Sequence, residues 1–462
     1  MARPRARPSQ PRPTPPSSLP HLNTNAAGID VGAASHFVAV PADRDAEPVR
    51  EFGPFTGELY RLAEWLTACG IETVALESTG VYWIPLFQVL EERGFEVKLV
   101  DARQLKRVPG RKSDVLDCQW LQQLHTFGLL AGAFRPDDQI CVLRSYMRQR
   151  AMLATYAGQH VQHMQKALVQ RNIQWHHVIS DLAGVTGLRI VDAILAGERD
   201  PQRLASLRDR RIKASVETVA KALVGDWRDE LLFTLRQALA AYRHTQQQIA
   251  ECDDELARRL TQFDSRVDPQ AQPLPAGQKT HSQKRRPAPT TTVDLRTELY
   301  RICGVDLTAV PGIHTLTAHT LFAELGSELT AFPTVKNFAS WLGLSPDNRV
   351  SGGKVLSVRT RAVNSRVALA LRLAAQSLHH NDSALGHYYR RMRTRLGAPK
   401  AVTATAHKLA RIIYHLLTTR QPYDESVFAQ HEQRHRQRQL QHLHRQALSL
   451  GFQLVPHSHA PQ

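Results

Sequence analysis

The sequence predicts an α/β domain, then a helical middle region that includes a candidate coiled coil, then a mostly helical C-terminal domain. In the first third of the chain, short apolar runs alternate with helical stretches, which is typical of α/β domains. From about residue 142 onward, apolar residues recur at three- and four-residue steps, which predicts helices. The chain has 462 residues, more than one hydrophobic core usually holds, so about two or three domains are expected.

The α/β domain is assigned to residues 24–141, after a Pro/Arg-rich arm at 1–23 that lacks periodicity and is expected to be disordered. The runs NAAGIDVG and SHFVAVPAD, with Gly32 at the turn, predict a β-hairpin. Residues 58–68 have helical spacing. The following runs predict, in order, a strand, a helix, a strand and a helix: IETVALE, VYWIPLFQVLEERG, FEVKLVD and SDVLDCQWLQQLHTFG.

The rest of the chain divides by composition. Residues 142–262 are predicted to be helical, and their last part is one long helix at about 226–262 with leucines at mixed steps. This helix fits a core helix of a bundle and an intermolecular coiled coil equally well. Residues 263–293 form a Pro/Gln/Ser-rich linker, 294–422 a basic helical domain, and 423–462 a Gln/His/Arg-rich tail.

The charge balance indicates a polyanionic partner. Fifty-nine Lys and Arg oppose 42 Asp and Glu, a formal net charge of +17, which favours nucleic acid or an anionic membrane surface. No run of about 18 apolar residues is present, so no membrane-spanning helix is expected. Five scattered cysteines without a CxxC pair indicate a reduced, cytosolic protein without a structural zinc site.

Four acidic residues of the α/β domain form a candidate metal site. Asp30 lies in a predicted strand, Glu77 ends another, and Asp114 and Asp117 are three apart at the start of a helix. If these side chains converge, they could bind one or two Mg²⁺ ions that hold a phosphodiester, with Arg111 and Lys112 beside the phosphate. Ordinary turn and first-turn roles explain the same pattern. The Asp-Val-Gly turn at Asp30 also fits an actin-like ATPase.

The C-terminal domain carries two candidate DNA-contacting motifs. LTAVPGIHTLTAHTLFAELG resembles a helix-hairpin-helix, with a tight turn at Gly312, His314 after it, and a second helix over 315–325. Further on, NRVSGGK places Ser351 beside two glycines, in open backbone where a phosphodiester-attacking serine could lie. Taken alone, the local motif favours a plain polar turn with a solvated basic face. The cations around it that could bind a phosphate are Arg349, Lys354, Arg359, Arg361 and Arg366.

These motifs together resemble a known family. GIDVGAASHFVAV, ALESTGVYWIPLFQVLEERG and GRKSDVLDCQWLQQLHTFGLL resemble the N-terminal domain of DEDD transposases from insertion sequences of the IS110 type. TAVPGIHTLTAHTLFAELG and SWLGLSPDNRVSGGKVLSVRTRAVNSRVALALRLAAQSL resemble the family's C-terminal domain. The resemblance covers most of residues 25–130 and 300–420.

The resemblance implies a fold, a chemistry and a set of partners. The N-terminal domain would be RNase H-like (RuvC-like), with catalytic, Mg²⁺-binding acids at Asp30, Glu77, Asp114 and Asp117. Ser351 would attack DNA and form a transient phosphoserine link. The protein would be a bacterial, cytoplasmic, nucleoid-associated recombinase guided by an element-encoded RNA, acting as a dimer or tetramer assembled through the helix at about 226–262.

Two other functions stay open beside the RNA-guided transposase. A RuvC-like endonuclease would hydrolyse DNA structures with the acids alone. A nucleic-acid-binding protein without catalysis would use only the basic surface. The actin-like ATPase is not favoured, because a second phosphate-binding turn and a Gly-rich adenosine loop are not evident in the sequence.

Overall fold

The computed structural model describes residues 20–78, 80–101, 114–179, 181–274 and 294–453, without the side chains of Asp114, 429–436 and 439. Two compact units meet at the bond between Arg135 and Pro136, and each is described by itself. Arg111 and Lys112 lie outside the described residues.

The first unit contains a five-stranded mixed sheet with the strand order β3-β2-β1-β4-β5. The strands β1, β4 and β5 are parallel, β2 is antiparallel to β1, and β3 is antiparallel to β2. The strands are β1 (Ala26–Val31), β2 (His36–Ala39), β3 (Val49–Phe52), β4 (Thr73–Glu77) and β5 (Glu96–Val100).

Helices cover both faces of this sheet. The helices α1 (Thr56–Ala68) and α2 (Trp83–Glu92) share one core with alternate residues of β1 and β4, such as Ile29 and Leu76. On the other face, α3 (Asp114–Thr126) packs through Leu121 on a second cluster that includes Ala75 and Val100. Strands buried on both faces read as continuous apolar runs, which is why AAGI and TVAL predict strands.

The second unit is built on two long helices, α4 (Asp138–Val169) and α8 (Asp229–Leu260). They run antiparallel, since Gln139 bonds to Gln262 and Arg150 pairs with Asp253. Apolar residues in the first part of α8, such as Leu235 and Leu239, share one core with α4 and with three short helices of the same chain, as in a core helix of a bundle. The short helices are α5 (Val185–Leu195), α6 (Pro201–Ser206) and α7 (Val216–Ala222).

The C-terminal part of this unit is mostly helical. A two-stranded hairpin interrupts the helices, and α14 packs against α11, α12 and α13. The elements are α9 (Leu295–Cys303), α10 (Thr315–Leu325), α11 (Val335–Trp341), β6 (Arg349–Ser351), β7 (Lys354–Ser357), α12 (Arg366–Ser377), α13 (Ala384–Leu396), α14 (Ala398–Thr419) and α15 (Ser426–Ser449). Among the described helices, none is both long and apolar enough to cross a membrane.

The α/β character of the first unit and the helical character of the second confirm the predicted fold classes. Two strand regions depart from the sequence-based expectation. The strand β3 is not predicted by the sequence pattern, because VREF is a run of only four residues, two of them charged, and lies at the sheet edge. The segment around Ser351, expected to be a polar loop, forms the hairpin of β6 and β7.

Candidate active site

The helix α3 lies very close to strand β1 at Gly28. A Cβ atom at this position would be 2.3 Å from the backbone nitrogen of Gln122 and 2.5 Å from the carbonyl oxygen of Cys118. No larger residue fits there without moving the helix. Gly28 therefore sets how deeply α3 sits on the sheet, and Asp30, two residues further along β1, lies on this same face.

Contacts along β4 fix the register of α3. At one end, Nε2 of His125 is 2.9 Å from Oγ1 of Thr73. One helical turn earlier, Leu121 packs in the cluster that contains Ala75. Four helix residues and two strand residues each advance by about 6 to 7 Å, so we expect the next step of this antiparallel packing to bring Asp117 to the side of β4 on which Glu77 lies.

Asp30 belongs to the same corner of the sheet. Ile29 pairs with Leu76 across the parallel strands, so Asp30 and Glu77 follow at neighbouring positions at the carboxyl ends of β1 and β4. Burial raises the pKa of the Cys118 thiol to about 12, and the nearby carboxylates of Asp30 and then Asp117 add to that rise. Asp30 and Asp117 thus both lie near Cys118.

Strand register and helix packing thus put Asp30, Glu77 and Asp117 on the α3 side of the sheet, near the carboxyl ends of β1 and β4, and each is half-buried. Asp114 begins α3 one turn before Asp117, hence on the same helix face. Among the described side chains, which do not include that of Asp114, no three His, Cys, Asp or Glu groups form a cluster able to hold a metal ion. The donors that would meet here are carboxylate oxygens, the ligands that suit Mg²⁺.

Buried polar residues of α3 hold this arrangement, and sequence reasoning missed them. Nε2 of Gln122 donates to the carbonyl oxygen of Ala26 at 3.4 Å and to Oγ1 of Thr126 at 2.9 Å. Gln122, His125 and Thr126 are all buried. The available signal was their spacing, because they share the helix face that carries Cys118 and Leu121.

Acid should weaken the first unit through His125. Burial lowers the pKa of its imidazole to about 4, and the positive charge of Lys98 adds to the decrease. In the unfolded chain, the imidazole of His125 has a pKa near 6.5. Between about pH 6.5 and 4 the unfolded chain therefore binds a proton that the folded chain does not, and the free energy of unfolding decreases as the pH is lowered. When the pH is lowered from about 7 to 5, the free energy of unfolding measured by denaturant should decrease by about 2 kcal/mol more in the wild type than in His125→Gln. Equal pH dependence of the two proteins would contradict this assignment.

Ser351 lies at the tip of an exposed hairpin. Gly352 and Gly353, with φ of +55° and +75°, form the two-residue turn, and Ser351 pairs directly with Lys354. Two successive positive φ angles are what a tight hairpin turn of this hand requires, which explains the glycine pair. The serine is exposed, with open space around both glycines.

The two faces of this hairpin differ in character. Arg349, Ser351 and Lys354 share one face, since alternate residues and directly paired residues point the same way. Val350 and Val355 lie on the opposite face and are 58% and 61% exposed. The serine hydroxyl thus stands between two cations on a polar face, which suits a phosphate.

The other predicted DNA contacts are placed less specifically. Arg359, Arg361 and Arg366 are exposed; Arg361 donates to the carbonyl oxygen of Ser340 at 3.0 Å, and Arg366 is 3.9 Å from Glu324. Gly312 has φ of +89°, and a Cβ there would lie 2.8 Å from the carbonyl oxygen of Ala374. The lack of a side chain at Gly312 therefore lets this turn pack closely on α12. His314 is exposed immediately before α10, which begins at Thr315 as predicted.

Comparison with known proteins identifies two transposase domains. Residues 27–173 match the DEDD transposase domain of the IS110 type, and residues 306–390 match the family described as "Transposase IS116/IS110/IS902 family". The first match contains all four predicted acids, and the second contains Ser351.

Two relatives are similar in sequence to part of this chain. A Sinorhizobium fredii protein named as a transposase, y4pF/y4sB, is 31% identical over 134 residues, covering 27% of this chain and 33% of that protein. The 43.6 kDa protein of insertion element IS110 from Streptomyces coelicolor is 34% identical over 90 residues, covering 19% of this chain and 22% of that protein. The aligned regions thus span a third or less of either relative. With the two family domains together covering half of its length, the chain belongs to the IS110 family of transposases.

Proposed function

We propose that this protein is a DNA transposase that cuts and rejoins DNA with a serine nucleophile assisted by Mg²⁺. What supports the proposal is that Asp30 and Glu77 lie at the carboxyl ends of neighbouring strands and that α3, which carries Asp114 and Asp117, packs on the same face of the sheet. Half-buried carboxylates placed together repel one another and are stabilised by a cation.

The four acids Asp30, Glu77, Asp114 and Asp117 would hold the metal. When bound, Mg²⁺ would neutralise charge on the reacting phosphate and so lower the barrier to its substitution. The chain's own contribution is positional: Gly28 lets α3 approach, and Gln122 and His125 fix its register, so that the acids on α3 face those on the strands.

Ser351 would perform the substitution. Its Oγ attacks the phosphorus of a DNA phosphodiester and loses its proton to a base. The P–O bond to one deoxyribose breaks, and that oxygen leaves as a hydroxyl after taking up a proton. A DNA hydroxyl that later attacks the phosphoserine reverses these steps and joins new strands, so no phosphodiester is lost to water. Arg349 and Lys354, on the same hairpin face, would neutralise the phosphate.

The partners follow from the same proposal. The substrates are donor and target DNA, an element-encoded RNA selects them, and the protein acts as a dimer or tetramer in the bacterial cytoplasm, on the nucleoid. The first unit is proposed to be RNase H-like, which is consistent with its mixed sheet and flanking helices. The turn at Gly312 and the helix α10 would be a helix-hairpin-helix-like contact to the DNA backbone. The net charge of +17 suits a protein that binds two kinds of nucleic acid.

Purification of the protein from cells that carry the complete element tests the RNA partner. We expect one discrete RNA, transcribed from the element outside the coding region, to be enriched in sequencing of the bound nucleic acid. The control is the same protein expressed without the element's flanking DNA, which should carry only unspecific RNA. Unspecific RNA in both samples would remove the guide from the proposal and leave the transposase chemistry standing.

A further inference from the structure

An open cavity of about 1110 Å³ lies in the second unit, and no proposed catalytic residue is among its described lining residues. It is bounded by α13, α14, the start of α11 and the segment 421–428, which includes the first residues of α15. Cavities that bind small ligands usually measure about 300 to 1,000 Å³. This one has room for an unstacked base together with its sugar and phosphate.

The lining of this cavity is positively charged. Arg391, Lys408 and Arg411 line it, and α13 continues the basic surface with the sequence RRMRTR. Asp424 is the one carboxylate among the described lining residues, and its oxygens already accept bonds from the backbone nitrogen and the hydroxyl of Ser426, both at 2.8 Å. The positive charge therefore dominates, and an anion fits.

Aromatic rings stand among these cations. Nζ of Lys408 lies 4.4 Å from the ring centre of Tyr388 and 4.5 Å from that of Phe428. The hydroxyl of Tyr423 is buried and has no hydrogen-bond partner among the described residues. A buried hydroxyl without a partner costs stability, so this one is suited to a ligand that brings an acceptor.

We propose that this cavity binds single-stranded nucleic acid. An unstacked base would take the place of the Lys408 ammonium on the ring of Tyr388 or Phe428. The ammonium, with Arg391 and Arg411, would pair with the phosphates. Aromatic side chains stack on bases only when the bases are free of a duplex, so the cavity selects single strands. This inference goes beyond the proposed recombination and does not depend on Ser351 or the acids.

Two charge reversals of equal size test the electrostatic part. Arg411→Glu changes a lining residue, and Arg395→Glu changes an exposed arginine of the same basic surface that does not line the cavity. Fluorescence anisotropy would use labelled oligouridylate, oligothymidylate and a duplex DNA of equal length. We expect Arg411→Glu to weaken single-strand binding by about tenfold and Arg395→Glu to weaken single strand and duplex equally and less. Identical effects of both variants would overturn the proposal.

The aromatic part has its own test, which begins with cross-linking of the unmutated protein. A single-stranded oligonucleotide with one 5-iodouracil, irradiated with the full-length protein, should cross-link to peptides that contain Tyr388, Tyr423 or Phe428. Cross-links confined to other peptides would overturn the site. Phe428→Leu should then weaken single-strand binding by about fivefold or more and leave duplex binding unchanged. Tighter binding of oligouridylate would assign the site to RNA, and tighter binding of oligothymidylate to DNA.

Discussion

Replacement of Ser351 with alanine is expected to abolish both strand exchange and the covalent protein–DNA adduct, while DNA binding persists. The hydroxyl oxygen is the only heavy atom removed, and Ser351 lies exposed at the hairpin tip. Loss of a nucleophile that acts in concert with its site commonly costs about a thousandfold or more in rate. The measurement is recombination of labelled DNA, together with an SDS-resistant adduct on a denaturing gel.

Ser357→Ala is the matched control for this variant. Ser357 pairs with Arg349 on the same hairpin, and its Oγ accepts a bond from the backbone nitrogen of Arg359 at 3.3 Å. We expect this variant to retain recombination and the adduct. If Ser351→Ala still cleaved DNA at the wild-type rate, the acids would be acting alone, and the protein would be a RuvC-like hydrolase rather than a serine recombinase.

Much of the first unit was predictable because its elements are encoded by local patterns. The runs around Ile29 and Leu76 are buried on both faces, and α1 carries apolar residues at helical spacing. The residues that are apolar in the sequence are therefore the ones that are buried in the fold. Strand β3 and the Ser351 hairpin were not predicted. Both have short strands that mix polar and apolar residues, although Gly352-Gly353 between two valine-containing runs is itself a hairpin signal.

The candidate site was likewise only partly predictable from the sequence. The residue types of Asp30, Glu77, Asp114 and Asp117 are visible in the sequence, and the strand ends explain why two of them meet. The depth and register of α3 on the sheet are set by tertiary packing. They depend on Gly28 and on buried partners such as His125, whose bond to Thr73 spans 52 positions of the chain. No local pattern encodes that distance.

Neutralising an acid without changing its shape should separate catalysis from stability. Glu77→Gln and Asp117→Asn are expected to lower DNA cleavage by about a thousandfold, since each removes a negative charge from a site that would hold Mg²⁺. Because carboxylates at one corner repel one another without the ion, the melting temperature in the absence of Mg²⁺ should stay level or rise. A purely structural acid would instead show a lower melting temperature.

The control for these variants is Glu72→Gln, the same chemical change at an exposed position beside the opposite end of β4. It should cleave DNA like the wild type. Added Mg²⁺ should raise the melting temperature of the wild type and of Glu72→Gln, because an ion that binds only the folded state stabilises it, and should have little effect on the two site variants. If Mg²⁺ stabilised all four proteins alike, the ion would bind elsewhere, and the acidic corner would lose its proposed role.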